Sequence, residues 1–306
     1  MRAEEMRKAG EIAFLKAVEL GSIRAAARAL QQDPSGVSRR ITQLEQRLGT
    51  KLVDRTGNAT IPTEQGQIYY EGLSKIVDQL EALDQQVSGE HLTPRGLLRV
   101  TSTIDFGQEF LTDWLFAFRD RYPEVEYDLV LASGFVDMVQ DNIDVAIRVG
   151  SLPDSALIAK KLANAPRVLV AAPSYLERRG IPKKPADLED HDFVFFLARN
   201  RMQPLELIDR KGVRHQVMRS KGVAINAIRS AVKTVIAGAG IHNGPLWAFA
   251  GAIKRGDVTL VLPDYHENAF PVYAVRKPSV VVPARISHFI DHVAECVKSV
   301  DGLEPV

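Results

Sequence analysis

A short stretch near the N-terminus gathers side chains suited to gripping nucleic acid. Ser35, Ser38, Arg39 and Gln43 offer hydroxyls, a guanidinium and an amide, groups that bond base edges in a major groove. Arg40 and Arg55 add cations for phosphate oxygens. Ser22, Arg24, Gly36 and Thr56 extend the same candidate surface. Charge follows this grouping. Residues 20–60 carry seven basic against three acidic side chains, a net of +4, and residues 66–92 carry one against five, a net of −4, although the whole chain is only +1. A local basic patch beside an acidic segment is the footprint of a nucleic-acid binder, and equally of two solvated faces.

The elements that position these residues follow from the spacing of apolar side chains. Ile12, Phe14, Leu15 and Val18 predict a helix over residues 1–20, closed by Gly21. Ser22 is the expected N-cap of an alanine-rich helix over 23–30, whose small side chains permit close helix approach. After Gln31-Gln32, Asp33 is the expected cap of a third helix, with Pro34 in its first turn and Gly49 past its end. Val37, Ile41, Leu44 and Leu48 fall on one face of it, and the polar set above on the other. Two helices joined by a tight turn, the second polar outside, read as a helix-turn-helix. A plain three-helix bundle with a charged surface is the alternative. Short stretches flanking Gly57-Asn58 predict a hairpin wing. Thr63 caps a long helix to Ser88, on which Tyr69, Leu73, Ile76, Leu80, Leu83 and Val87 recur at spacings of 4, 3, 4, 3 and 4. That heptad seam suits pairing with a second copy, or packing on the chain's own C-terminal part. Pro94 and two glycines mark residues 89–96 as a linker.

Beyond residue 97 strands and helices alternate. Strands are expected at 97–101, 127–131, 145–149, 167–172, 193–197 and 273–276, with helices at 106–122, 136–141, 227–237 and 284–299. Such alternation predicts α/β sheets whose ligands bind at carboxyl ends of strands.

Composition bounds the rest. At 45% hydrophobic and 25% charged, the 306 residues suit two folded domains. No apolar run is long enough to span a membrane, residues 1–11 are too charged for a signal peptide, and the one cysteine, Cys296, excludes an internal disulfide. A cytoplasmic location without membrane attachment is expected. His288, His292 and Cys296 recur at metal-ligand spacing but sit off the apolar face of their helix, so they are expected to meet solvent and no metal is assigned. After Gly238-Ala239-Gly240 the third glycine of a dinucleotide loop is misplaced, and no strand-first unit with a later acid fits. No nucleophile elbow, P-loop or zinc-protease motif is present, so no catalytic residue, enzyme activity or cofactor is expected.

Taken together, the chain resembles the LysR-type transcriptional regulators over essentially its full length. The resemblance is carried by residues 14–19 with Gly21-Ser22, by 24–30, and by Val37-Ser38-Arg39 with Ile41, Leu44-Glu45 and Leu48-Gly49. Leu52, Arg55, Thr63 and Gly66 continue it, followed by Leu98-Arg99-Val100, Tyr122-Pro123, Val125, residues 144–148, Pro173-Ser174-Tyr175-Leu176, and Gly238-Ala239-Gly240-Ile241 with Pro245. It implies an α/β protein: an N-terminal winged helix-turn-helix plus a long linker helix, and a C-terminal two-lobed α/β effector domain of periplasmic-binding-protein type. The expected domains are 1–65 for DNA binding, 66–92 for the dimerisation helix and hinge, and 93–306 for effector binding. Lobe one takes about 97–165 and 268–306, and lobe two about 166–267. The implied partners are double-stranded promoter DNA, a small-molecule effector, and further copies in a homodimer or homotetramer. Ile23 and Val53 stand where such proteins usually have phenylalanine, and His242-Asn243-Gly244 replaces a more apolar run.

For the effector, Thr101, Ser102 and Thr103 offer hydroxyls before a helix, suited to an anion, or to helix capping alone. Ser133 and Arg148 project to the same edge, Arg148 otherwise pairing with Asp137 or Asp144. Phe195 and Leu197 would wall the site, Asn226 would sit at a helix N-terminus with or without ligand, and His242 would alter the pocket. The function expected is effector-modulated promoter binding. A solute-binding protein without a DNA role is the alternative.

Overall fold

The computed structural model describes residues 2–56, 59–88, 93–134, 136–138, 140–197, 203–279 and 281–306. Two compact units form, one of Met1–Leu92 with Val281–Pro283, the other of Thr93–Val280 with Ala284–Val306.

In the first unit, α1 (Arg2–Glu19), α2 (Ile23–Ala29) and α3 (Pro34–Leu48) precede a hairpin of β1 (Val53–Thr56) and β2 (Ala59–Pro62), and α4 (Glu64–Ser88) follows. Phe14, Ala26, Ala27, Val37, Ile41, Leu44 and Leu52 make one core. Gly49 ends α3 in the left-handed conformation, φ 70°. Two caps differ from expectation. Ser22 has the extended N-cap backbone but makes no side-chain cap bond; the Ile23 N–H donates instead to the Thr60 hydroxyl at 3.2 Å. Because the Thr60 N–H also donates to the Gly21 carbonyl at 2.8 Å, the hairpin itself closes the start of α2. Asp33 likewise caps by backbone conformation alone, with Pro34 opening α3. Thr63 behaves as expected, its hydroxyl accepting the Gly66 N–H at 3.0 Å. Gly66 is required there, since a Cβ would overlap the Leu52 carbonyl oxygen.

In the second unit a six-stranded mixed sheet is ordered β16-β6-β15-β5-β3-β4: β3 (Gly96–Ser102), β4 (Val125–Leu131), β5 (Val145–Val149), β6 (Ile158–Ala165), β15 (Phe270–Arg276) and β16 (Glu304–Pro305). β3 runs parallel to β4 and β5, and β15 antiparallel to β5 and β6. Three small sheets come from the intervening chain: β7 (Arg167–Ala171) between β12 (His242–Pro245) and β13 (Thr259–Val261); β8 (Phe193–Phe196) beside β11 (Gly222–Ile225); and β9 (Leu205–Asp209) between β10 (Arg214–Val217) and β14 (Tyr265–His266). The strands thus segregate into one sheet drawn from both ends of this unit and a group drawn from 167–266, a two-lobed division.

The helices are α5 (Ile104–Phe106), α6 (Thr112–Arg121), α7 (Pro173–Arg179), α8 (Ile228–Ile236), α9 (Leu246–Arg255) and α10 (Ala284–Cys296). The helix expected over 106–122 begins earlier and breaks, with a π turn at Gly107–Leu111 joining α5 to α6. Gly107 opens that turn against the Leu131 side chain, where a Cβ would collide. The helix expected over 136–141 is a run of turns among the described residues. The Asp137 carboxylate there takes the Gln140 N–H at 3.1 Å and Asn142 has φ 54°, local bonding that competes with a helix. On α10, His288 and His292 are half-buried rather than solvent-facing, and His292 bonds the Trp114 carbonyl at 2.9 Å.

Candidate functional site

In the first unit the spacing of α3 separates two faces. Val37, Ile41 and Leu44 are at most 3% exposed. Ser35, Arg39 and Gln43, four residues apart, form an exposed stripe, and Gly36, Ser38 and Arg40 flank it half-buried. The Arg40 guanidinium bonds the Gln32 amide oxygen in the turn before α3. Arg24 is exposed and Ser22 half-buried at the start of α2. Arg55 and Thr56 lie on β1, but their side chains, like the Gly57-Asn58 tip, fall outside the described residues. The C-terminal end of α3 is fixed by Glu45, 4% exposed. Its carboxylate accepts the Leu52 and Val53 N–H groups at 2.9 and 3.2 Å and the Lys51 ammonium at 3.0 Å. Burial pushes this carboxyl up, but the Leu52, Lys51 and Val53 donors outweigh it and hold it below its ordinary value. The hairpin is thereby tied to the recognition-type helix.

On α4 the six seam residues divide. Tyr69 and Leu73 pack on the core of their own unit, Tyr69 with its ring 5.7 Å from that of Phe14. Ile76, Leu80, Leu83 and Val87 are 62, 53, 45 and 82% exposed in the single chain, an uncovered apolar row.

The second unit contains a cavity of about 430 Å³, within the range of small-molecule sites. It opens where β3, β5 and β6 end, bordered there by Thr103, Val149 and Ala165, and is closed by residues of the 167–266 segment with Glu267 and Phe270. Of the residues expected to meet an effector, Thr103, Phe195, Leu197 and His242 line it. Thr101, Ser102, Ser133, Arg148 and Asn226 do not border it. β3 runs on through Ser102, so two of the three hydroxyls lie inside the sheet: Thr101 donates to the Val130 carbonyl at 2.7 Å and Ser102 to the Ile147 carbonyl at 3.0 Å. Ser133 is exposed. Arg148 is buried and donates to the Gly134 carbonyl at 3.0 Å. Asn226 is exposed and precedes the N-cap, which is Ala227. The first N–H of α8, at Ile228, goes to the Asp105 carboxylate at 2.9 Å, so an acid from the other lobe takes the role expected of Asn226.

His242 is 1% exposed and its Nδ1 lies 2.6 Å from the Val194 carbonyl. A carbonyl only accepts, so Nδ1 carries the proton and Nε2 is left as an acceptor. Burial drives its pKa down to about 4, against the opposing Val194 bond, and the ring is neutral at physiological pH. Gly244 makes this placement possible, because a Cβ there would collide with His242 Nε2. The departure at 242–244 is therefore one unit, a buried imidazole with the glycine that admits it.

Sequence reasoning missed the cavity's charged groups. Arg167 Nε bonds Glu267 at 2.5 Å and its Nη2 the Asn243 carbonyl at 3.0 Å, while the Asn243 amide donates to Glu267 at 2.7 Å. Arg219 lies over Phe193 and Phe195; burial lowers its pKa to about 10, which leaves it charged at neutral pH. Nothing in the polar run around Arg219 marks it as internal. Trp247, Phe106 and Phe270 complete the lining. Trp247 had a usable signal, as one of only two tryptophans, beside Pro245 where a helix starts.

Residues 12–67 match the family model described as bacterial regulatory helix-turn-helix protein, lysR family, and residues 91–297 match the LysR substrate binding domain. The chain belongs to the LysR family of transcriptional regulators. The regulator is 33% identical over 282 residues to the HTH-type transcriptional activator AaeR of Escherichia coli strain K12, covering 92% of this chain and 91% of that one. It is 31% identical over 283 residues to an HTH-type transcriptional repressor of Pseudomonas aeruginosa, covering 92% and 89%. The solved structure of CrgA, a LysR-type transcriptional regulator from Neisseria meningitidis, aligns with TM-score 0.59 at 26% identity over 94% of this chain and 97% of that one. Full-length AphB of Vibrio cholerae shares the fold, with TM-score 0.59 at 23% identity over 94% and 98%. The protein is a transcriptional regulator that joins a DNA-binding helix-turn-helix to an effector-binding domain. No helix among its described residues is long and apolar enough to cross a membrane.

Proposed function

We propose that this regulator binds promoter DNA in the cytoplasm as a homodimer or a dimer of dimers, and that a small anion in the 430 Å³ cavity changes that binding. The observation that carries the reading is the exposed stripe of Ser35, Arg39 and Gln43 opposite a fully packed face of α3. Those side chains meet base edges, while Arg24, Arg40, Arg55 and Thr56 anchor the backbone with Ser22, Gly36 and Ser38 at the approach. The exposed Ile76, Leu80, Leu83 and Val87 row supports pairing of two α4 helices, Tyr69 and Leu73 anchoring its base. Pairing brings two recognition helices to one duplex. No catalytic step belongs to this reading. The relatives include an activator and a repressor, so either direction of control is compatible with the family.

The test is selection of bound duplexes from a random pool, followed by footprinting of the winner with and without ligand. One enriched sequence with a two-fold repeat, and a footprint that changes with ligand, is the expected result. No enrichment over random DNA overturns the reading.

A further inference from the structure

Three helices of the first unit meet at one polar contact. The Arg47 guanidinium, in the last turn of α3, donates to the Glu11 carboxylate of α1 at 2.6 Å. The Tyr69 hydroxyl of α4 lies 3.5 Å from that same carboxylate oxygen and 3.5 Å from that same Arg47 nitrogen. The three polar atoms close a triangle. It is partly sheltered, the Glu11 side chain being 13% exposed and that of Arg47 37%. The Tyr69 ring packs beside Phe14, 5.7 Å between centroids, which holds the hydroxyl in place.

Apolar packing alone holds two helices together without fixing their angle, because it is non-directional. Hydrogen bonds are directional. The triangle sits at the base of α4, and the uncovered row from Ile76 to Val87 lies farther along the same helix. At 1.5 Å per residue, Tyr69 is about 20 Å from the middle of that row. With the row held against a second copy, a tilt of about 10° at Tyr69 displaces the winged unit by ~3.5 Å, close to one base-pair step of DNA. Small errors in this angle are therefore large on the scale of an operator.

Resting on the reading that two copies pair through α4, we propose that Arg47, Glu11 and Tyr69 are positioning residues for operator spacing. They fix the angle at which α4 leaves α3, and so the distance between the two recognition helices on one duplex. Base preference within each half-site stays with Ser35, Arg39 and Gln43.

Fluorescence anisotropy of the full-length protein on duplexes built from its selected operator tests this. One series lengthens or shortens the gap between half-sites by single base pairs, and one duplex carries a single half-site. Wild-type affinity should peak at the selected spacing. The ratio of peak to flanking affinities should fall by at least about threefold in Arg47→Met and about twofold in Tyr69→Phe, while affinity for the single half-site is unchanged. Arg47→Lys, which can still pair with Glu11, should keep most of the peak. Loosened packing would instead lower every affinity together and leave the ratio intact. A phosphate contact by Arg47 would also weaken every duplex, and would reduce the salt slope by about 1. Either of those results, or a ratio indifferent to Arg47→Met, overturns the proposal. Should Arg47→Met not fold, Tyr69→Phe decides by the same ratio, since it keeps the ring beside Phe14. A wild type without any preferred spacing removes pairing through α4 as well, whereas a wild-type peak that the variants retain removes this assignment alone.

Discussion

Glu45 shows how much of the DNA-binding unit rests on one carboxylate. It is the acceptor for two backbone N–H groups that lead into the hairpin. Glu45→Gln should cost about 1–3 kcal/mol of stability in denaturant unfolding, since charge-assisted bonds weaken and a buried donor loses its partner. Because its folded pKa is held below the ordinary value, its contribution is present at neutral pH and is lost as pH falls through the folded value. His242 acts with the same sign through a base. Its pKa falls from 6.5 to about 4 in the folded protein. Unfolded chains therefore take up a proton that the native cavity refuses, and stability declines as pH drops from 6.5 toward about 4. The loss should total about 3 kcal/mol, and melting of His242→Gln should be flatter across that window. An equally steep profile in the variant would assign the acid sensitivity elsewhere. Ser35, Arg39 and Gln43 were legible because one helical period fixes both faces of α3. Arg219, Glu267 and Trp247 were not, because the cavity joins positions scattered from 103 to 270. The hydroxyls of Thr101 and Ser102 misled for a related reason: the sequence does not mark where β3 stops.

Among the elements, α4 has two jobs along its length. Its first turns are welded to the winged unit, and Gly66 lets it pass the Leu52 carbonyl. Gly66→Ala should destabilise that unit by about 1–3 kcal/mol through overpacking, read as a lower melting temperature. The later turns carry the exposed apolar row. Ile76→Glu with Leu80→Glu should shift sedimentation toward the monomer while melting of the monomer's own core is unchanged. An unaltered oligomer would remove α4 from the interface. The periodicity of α1, α3 and α4 was readable since each is long enough to show its face. Short elements such as β9 to β14 were missed because two to five residues hold no period, and their pairing joins segments far apart in the chain. The turns among the described residues of 136–138 and 140–144 answer to side-chain bonding that hydrophobic spacing does not report.

For the molecule as a regulator, ligand control requires that the effector bind two states of the protein unequally. The Asp105 bond to Ile228 and the 2.8 Å ion pair of Arg229 with Glu109 join the two lobes beside the cavity and are natural points for such a difference. The output, however, is DNA occupancy, and that rests on the outer face of α3. The most direct test is fluorescence anisotropy on a selected operator and a scrambled duplex, across a salt series, for wild type and Arg39→Ala. Wild-type affinity should fall steeply with salt as counterions are released. Arg39→Ala should lose about 1–3 kcal/mol on the operator and much less on the scrambled duplex, so that discrimination narrows. Wild-type protein that ignores both duplexes at low ionic strength, or a variant that discriminates as well as wild type, would contradict the account.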